Sequence, residues 1–180
     1  MIAFRIFIIV FLFLGLKVHA QNDYVVKNDG DTLFGKIKTN LLGKSRLVSD
    51  KEEVMINVSE ISCYYLKKKG DAYYNKVIPE TGKNSFVLQI EKGKLNLYSY
   101  IITSYSGNGK SISVVYWYVE RDNEGLSLLK SSYAFAEDRK GRKELLKSLL
   151  ADNPVTSKML EENDTFSFKR IQELIREYNK

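Results

Sequence analysis

The hydrophobic pattern of this chain changes once, close to residue 135. Before that point, apolar and aromatic residues form short β-favouring runs separated by turn residues, which predicts eight to ten short strands. After it, leucine and isoleucine recur at helical spacing. Strands that follow one another so closely are expected to pair antiparallel. The pattern therefore predicts an α+β fold: an antiparallel β-meander over 22–135, as a sheet or an open barrel, followed by two or three helices over 137–179.

The most distinct strand pair lies at the start of the β-rich part. The runs 24–27 and 32–37 are β-favouring, and the turn between them contains Asp29-Gly30. Asp-Gly supplies the positive φ angles of a type I′ turn, so we expect a tight hairpin here. Further along, 112–119 is apolar on both faces, which predicts a central strand.

Signals for helix ends surround the apolar stripes of the helical part. Asn153 precedes Pro154, the arrangement of an N-cap followed by proline at the first helical position. Ser167 is placed to cap a last helix, with Phe166 and Ile171 spaced as a hydrophobic staple around it. The predicted apolar faces are Leu145, Leu146, Leu149 and Leu150 in the first helix, and Phe168, Ile171, Leu174, Ile175 and Tyr178 in the last.

Residues 1–20 have the pattern of a secretory signal peptide, which leaves 21–180 as a single domain. Arg5 precedes an apolar run over 6–16, and small side chains at Val18 and Ala20 suit a signal peptidase that cuts before Gln21. The run covers only about half of a ~30 Å hydrocarbon core. The alternative is an uncleaved N-terminal anchor. A lipoprotein needs a cysteine thiol directly after the cleavage site, and position 21 of this chain is glutamine, so we do not expect a lipid anchor. No later segment is long and apolar enough to span a membrane.

Two scarce residue types limit the chemistry of the mature chain. His19 is the only histidine and lies in the predicted signal, which excludes Ser-His-Asp and Cys-His catalysis and zinc sites that need imidazole. Cys63 is the only cysteine, so it cannot form an intramolecular disulfide. We expect it to be a small residue on a buried strand, the alternatives being a free nucleophile or an intermolecular bridge.

Charge suggests a first set of candidate binding residues. Without Arg5 and Lys17 the chain has 26 basic and 22 acidic residues, a net charge of +4, which is too mild for a dedicated duplex-DNA binder. Basic residues cluster at Lys67-Lys68-Lys69 and at 139–143. Such clusters bind polyanions, namely phospholipid headgroups, lipopolysaccharide phosphates or acidic glycans. The alternative is a solvated turn and a solvated helix start.

Four tyrosines form a second candidate set, Tyr98, Tyr100, Tyr116 and Tyr118. They alternate along neighbouring strands, so each pair shares one sheet face. Flat aromatic faces stack on sugar rings, which makes a glycan site one interpretation. The other is that the rings pack in the core beneath the sheet surface.

No residue set in the sequence indicates a cofactor, a metal ion or a catalytic group. Gly109-Lys110-Ser111 resembles the end of a phosphate-binding loop, but position 104 is serine where that loop needs glycine. Asp29 and Asp31 are too few for a calcium site. A glycosidase needs two acids in one cleft, and spacing along the sequence does not decide whether any two acids of this chain converge there.

The segment 24–37, Tyr-Val-Val-Lys-Asn-Asp-Gly-Asp-Thr-Leu-Phe-Gly-Lys-Ile, resembles the start of secreted proteins from Gram-negative bacterial envelopes that have no assigned function. Later pieces are similar too: 86–88 leading to Gly93 and 97–98, and the close at 178–179. The resemblance implies a periplasmic, outer-membrane-associated or secreted protein, and it transfers no catalytic residue.

These observations favour an exported envelope protein that is not an enzyme and acts by binding or as a structural component. The sequence does not identify its partner; the candidates are an envelope protein, a glycan and an anionic lipid headgroup, and we do not expect a nucleic acid. One alternative is a glycan- or polyanion-binding module that uses the tyrosines and lysines named above. The other is a carboxylate-based hydrolase that works without histidine.

Overall fold

The computed structural model describes residues 22–41, 43–105, 109–133, 138–163 and 165–180. The predicted signal segment 1–20 and the cleavage site at Ala20 and Gln21 lie outside the described residues.

Within these ranges the chain forms ten strands and then three helices, which confirms the predicted α+β fold class. The strands are β1 (Asp23–Lys27), β2 (Thr32–Thr39), β3 (Ser45–Val48), β4 (Glu53–Met55), β5 (Ile61–Leu66), β6 (Asp71–Ile78), β7 (Lys83–Glu91), β8 (Leu95–Tyr105), β9 (Ser111–Arg121) and β10 (Ser127–Ser131). The helices are α1 (Arg139–Leu150), α2 (Pro154–Glu162) and α3 (Phe168–Tyr178).

All strand pairs are antiparallel, and the strands form one sheet in the order β10-β9-β8-β7-β6-β5-β1-β2-β3-β4. The sheet is therefore two meanders joined at β1, because β5 adds to the free edge of β1 and not to β4. This junction buries Val25, Leu47 and Ile61 in one apolar cluster. The pairing of β5 with β1 follows from that long-range burial, which local sequence pattern does not encode.

The turn of the first hairpin differs from the predicted type I′ form. Gly30 has φ +95°, but neither Asn28 nor Asp29 has a positive φ. Gly30 N–H donates to the Lys27 carbonyl at 3.0 Å, and Lys27 N–H donates to Asp31 O at 2.8 Å. This is the three-residue hairpin loop, in which only the last residue is left-handed. The side chain of Asp29 stabilises it by accepting from Asp31 N–H at 3.0 Å.

The sheet curves strongly between β6 and β9. Lys76 Nζ on β6 lies 2.7 Å from Glu120 Oε1 on β9, although β7 and β8 run between them. Strands in a flat sheet are about 4.8 Å apart, so β6 and β9 would then be separated by about 14 Å. The face that carries Lys76 and Glu120 is therefore concave, and we call it the inner face.

The helices cover the opposite face of β7–β10. Leu97, Val119 and Leu129 of the sheet pack in one core cluster with Leu146 and Leu150 of α1, and α2 and α3 also contribute to it. The most strongly amphipathic helix is α3, which buries Ile171, Leu174, Ile175 and Tyr178. Phe168, at its first position, meets Trp117 edge-to-face with ring centroids 4.8 Å apart. The stripes predicted at helical spacing are the ones that face the sheet.

Side chains cap the helices as the sequence predicts. The Asn153 side chain accepts from the N–H groups of Val155 and Thr156, with Pro154 at the first position of α2. The Ser167 hydroxyl accepts from Arg170 N–H at 3.1 Å at the start of α3. These bonds satisfy amides that have no partner inside the helix.

The end of α3 is anchored to the sheet by one side chain. The Asn179 amide accepts from Leu95 N–H at 3.0 Å and donates to Leu95 O at 2.8 Å. Gly93 makes room for this contact, since a Cβ there would overlap the Asn179 side chain. The anchor holds the last helix over the β7–β8 turn.

None of the helices in the described ranges combines the length and the apolar character that crossing a bilayer requires.

Candidate functional site

The inner face holds a buried cluster of charged and aromatic groups. Glu120 is only 3% exposed, and both of its oxygens accept from Lys76 Nζ, at 2.7 and 2.8 Å. The Tyr98 hydroxyl also donates to Glu120, at 3.0 Å. Lys76 additionally lies over the Tyr98 ring, 5.6 Å from its centroid. The one buried carboxylate of the described chain is thus neutralised by a lysine on a distant strand.

Two of the four candidate tyrosines belong to this cluster. Tyr98 and Tyr118 are 2% and 1% exposed, so neither ring presents a face to solvent. The Tyr118 hydroxyl donates to Glu80 at 2.8 Å. Burial, reinforced by the neighbouring carboxylates, raises the pKa of both phenols. The geometry places these two residues in the core beneath the curved sheet.

The other two tyrosines are half-buried next to them. Tyr116 stacks on Tyr118 with ring centroids 6.4 Å apart, and the Tyr100 hydroxyl lies 3.3 Å from the Ser85 hydroxyl. Both pack against the same inner-face cluster. A sugar-stacking role for the four tyrosines stays a prediction, and it would need the sheet to open around Tyr98.

The lysine triplet lies apart from the tyrosines. Lys67, Lys68 and Lys69 are exposed in the turn between β5 and β6, and the first two line an open groove of about 470 Å³. In this groove the Asp23 carboxylate accepts from Lys67 N–H at 2.9 Å. Across the described ranges, no hydrogen bond or cation–π contact joins the triplet to the four candidate tyrosines. The two candidate binding sets therefore do not form one site.

Two further acids, Glu91 and Asp152, accept hydrogen bonds from side chains of α3. Glu91 accepts from Gln172 and Arg176 of α3, at 2.7 and 2.5 Å. Tyr178 donates to Asp152 at 2.7 Å, and this bond holds the pKa of Asp152 below its ordinary range. No group of three or more His, Cys, Asp or Glu in the described chain is arranged to hold a metal ion.

Cys63 lies on β5, paired with Val26 on one side and Tyr74 on the other. It is partly buried, and burial raises the pKa of its thiol. A raised pKa lowers the thiolate fraction at neutral pH, and the thiolate is the reactive form. The environment of Cys63 is that of a packing residue.

A different set of cations converges where β10 meets α1. A small cavity of about 160 Å³ is lined by Lys130, Ser131, Tyr133, Arg139, Arg142 and Phe166. We call it the basic cleft. Lys130 reaches it from β10, and the two arginines come from the first turn and a half of α1. Lys130 Nζ donates to the Phe166 carbonyl at 2.8 Å and lies over the rings of Phe166 and Phe168.

Within the described residues, the three charges of the basic cleft, those of Lys130, Arg139 and Arg142, lack an ion-pair partner. Desolvation, and then repulsion from the two arginines, lowers the pKa of Lys130. Helix N-termini favour anions over cations. The first turn of α1 contains no acid, and the acid described at this helix start is the N-cap Asp138, whose carboxylate accepts from Gly141 N–H at 2.7 Å. The cleft is an electrostatically unfavourable arrangement that an anion would relieve.

Sequence reasoning identified one half of this cleft and missed the other. The basic run 139–143 was visible as a cluster. Lys130 was not, because it stands alone between Leu129 and Ser131 in an otherwise uncharged strand. Only the packing of α1 against the end of β10 places it beside the arginines. No local pattern in the sequence could have indicated that contact.

The resemblance of 24–37 to envelope proteins stays a prediction. Two other positions that carry it, Gly93 and Asn179, contact each other in the structure, which gives them a shared structural role. Comparisons with protein-family models, with curated proteins and with solved structures found no match for this chain.

Proposed function

We propose that this chain is an exported envelope protein that acts by binding an anionic, phosphate-bearing ligand in the basic cleft. The observation that carries the proposal is the convergence of Lys130, Arg139 and Arg142 on one cavity, where none of them forms an ion pair with a described residue. A bound anion would neutralise the cluster and favour the charged form of Lys130.

Binding accounts for the structure better than catalysis. Acids and phenols converge on the inner face, but both oxygens of Glu120 already accept hydrogen bonds, from Lys76 and Tyr98. Glu80 accepts a hydrogen bond from the Tyr118 hydroxyl. A carboxylate pair for hydrolysis needs one free acid as proton donor and one free base or nucleophile. Neither glutamate is free for that role in this arrangement.

The donor set of the cleft suits a phosphate group. Guanidinium groups such as those of Arg139 and Arg142 bind phosphate through two parallel N–H···O bonds. Lys130 Nζ has two protons left after its bond to Phe166, and the Ser131 hydroxyl also lines the cavity. At about 30 Å³ per water molecule the cavity holds roughly five waters, which is room for one phosphate group.

Titration with inorganic phosphate, followed by NMR of the arginine Nε–H signals, tests the proposal. We expect saturable shifts at Arg139 and Arg142, and an Arg142→Gln variant that binds about tenfold more weakly, since a hydrogen bond to a charged group contributes about 1.5–3 kcal/mol. Lys158→Gln is the matched control, because it removes an exposed cation of α2 that faces Glu162.

Sodium chloride at matched ionic strength separates specific binding from screening. If phosphate produces no saturable response, or if Arg142→Gln responds like the wild type, the basic cleft does not bind phosphate.

Export is the second part of the proposal and has its own measurement. The support is the apolar segment 6–16 with small side chains at Val18 and Ala20. Mass spectrometry of the protein from its native envelope should find a new N-terminus near Gln21. An intact Met1 in the membrane fraction would contradict cleavage.

A further inference from the structure

The ends of β8 and β9 extend beyond the rest of the sheet as a two-stranded ribbon. Pairing between β8 and β9 runs from Leu95↔Arg121 to Tyr105↔Ser111. The β7 partner of β8 reaches only to Ser99, and the ladder between β10 and β9 ends at Tyr116. Residues 101–105 and 111–114 therefore project as a pair of strands, which we call the ribbon.

The ribbon is exposed and uncharged, and its large side chains are apolar or aromatic, between smaller serine and threonine residues. Tyr105 is 81% exposed, Ile112 is 65% and Ile101 is 59%. The strand segments 100–105 and 111–119 contain no charged residue. Exposed edge strands in water are ordinarily protected by charges, prolines or bulges, and the ribbon has none of these in its paired length. Such a surface indicates a partner that covers it.

The basic cleft opens at the base of the ribbon. Ser132 N–H donates to the Val115 carbonyl at 2.8 Å, and Val115 N–H donates to the Ser132 hydroxyl at 2.9 Å. The neighbours of Ser132 on either side, Ser131 and Tyr133, both line the cleft. Tyr133 is itself 54% exposed. One end of the molecule thus presents a projecting pair of strands without a charged residue, beside three cations that form no ion pair with a described residue.

We propose that this end of the protein docks on an anionic membrane surface, with a lipid phosphate in the basic cleft and the ribbon in the interfacial layer. The proposal rests on the proposed function, since the cleft supplies the phosphate site. An anionic lipid is the partner that combines a phosphate with an adjoining apolar phase. Charge complementarity selects it over an apolar protein surface, which would leave Lys130, Arg139 and Arg142 without counter-charge.

The open edges of the ribbon set the depth of insertion. Over 101–105 and 111–114, strand pairing joins the two strands only to each other. Their outward backbone groups need water, because an unsatisfied N–H or C=O in hydrocarbon is costly. The ribbon therefore enters the headgroup and upper acyl region, where tyrosine is also favoured, and does not cross the bilayer.

Co-sedimentation with lipid vesicles tests the docking. The protein should bind vesicles of equimolar phosphatidylcholine and phosphatidylglycerol, and not vesicles of phosphatidylcholine alone. The double variant Tyr105→Thr/Ile112→Thr keeps β-favouring side chains and should weaken vesicle binding about tenfold or more, since each side chain loses apolar burial. Val77→Thr on β6 is the matched control, because it replaces another exposed apolar strand residue.

The arms of this experiment separate the two proposals. The ribbon variant should keep the NMR response to inorganic phosphate, whereas Arg142→Gln should weaken both phosphate binding and vesicle binding about tenfold. A wild-type protein that binds phosphate but stays in the supernatant with the mixed vesicles would overturn membrane docking and leave the proposed function intact. Absence of the phosphate response would overturn the proposed function itself.

Two further results would reassign the ribbon. Vesicle binding by the ribbon variant equal to that of the wild type, with both proteins showing the same thermal unfolding, would overturn its insertion. Ribbon-dependent dimerisation in size-exclusion chromatography, without vesicle binding, would identify a second copy of the chain as its partner.

Discussion

The inner face and the basic cleft both remove charged groups from water, but the charge is neutralised by an opposite charge in the first and faces like charges in the second. On the inner face, Glu120 is almost fully buried but is neutralised by Lys76 and hydrogen-bonded by Tyr98. In the basic cleft, Lys130 is less buried, yet the described charges that share its cavity are the like charges of Arg139 and Arg142. The first arrangement is complete within the chain, and under the proposed function an external anion completes the second.

This difference separates a structural charge from a functional one. A buried ion pair with its hydrogen bonds satisfied ties distant strands together, here β6 to β9 across the curved sheet. Like charges around a cavity destabilise the folded protein, so their presence there indicates a function and not a structural role. If burial of charge were the criterion, the inner face would be the candidate functional site. The criterion of unbalanced charge indicates the basic cleft instead.

Removing the cation of the inner face should have the largest effect. In Lys76→Met, Glu120 stays buried without its partner, and breaking a buried pair this way costs about 3–5 kcal/mol. Urea denaturation at neutral pH measures the loss in the free energy of unfolding. Phosphate binding in the basic cleft should not change, since Lys76 lies on the other face of the sheet.

The double variant Lys76→Met/Glu120→Leu distinguishes a lost charge pair from damaged packing. Replacing both charges by apolar side chains is often neutral, so most of the lost stability should return. If the double variant is as unstable as Lys76→Met alone, the uncompensated charge of Glu120 is not the cause.

Reversing one charge of the basic cleft should give a smaller effect of the opposite sign. Arg139→Glu places a carboxylate in the first turn of α1 and removes a repulsive neighbour of Lys130. We expect the free energy of unfolding to rise by about 0.3–1 kcal/mol, while phosphate binding is lost. Thermal unfolding and the NMR titration on the same sample measure both. A variant that loses stability would contradict the account of the cleft as unbalanced charge.

The pH dependence of the basic cleft should be the smallest effect. The folded pKa of Lys130 lies below its ordinary value of 10.5, so between these two values the unfolded chain binds more protons. Stability from this group therefore rises as pH rises through that window, and its charged form disfavours folding below it. NMR titration of Lys130 Nζ should show a higher pKa when phosphate is bound. An unchanged pKa at saturating phosphate would place the anion elsewhere.

Much of the fold could be predicted because its signals are local. Alternation and turn residues located the strands, and helical spacing located the faces of α1 and α3. Asn153 and Ser167 cap their helices as predicted, because an N-cap bonds only amides two or three residues away. The candidate site was predicted in part, as the basic run 139–143.

What failed depends on contacts between distant residues. The turn at Gly30 is the exception, because it has the three-residue form and not type I′ although the hydrogen bond that closes it joins Lys27 and Asp31, four residues apart. The addition of β5 to β1 follows from the shared burial of Val25 and Ile61. The alternation of Tyr98 and Tyr118 along their strands left both a binding stripe and core packing open, and only the tertiary structure shows that the two rings are buried.

The sequence by itself determined the order and type of the elements, the helix caps and the absence of histidine from the chain after residue 19. Tertiary structure decided which charges are balanced. Lys76 and Glu120 are 44 residues apart, and Lys130 and Phe166 are 36 apart. Local patterns act over a few residues along the chain, whereas electrostatic balance depends on distance in space. For this reason Lys130, the single charged residue of β10, belongs to the candidate site only through the packing of α1 against that strand.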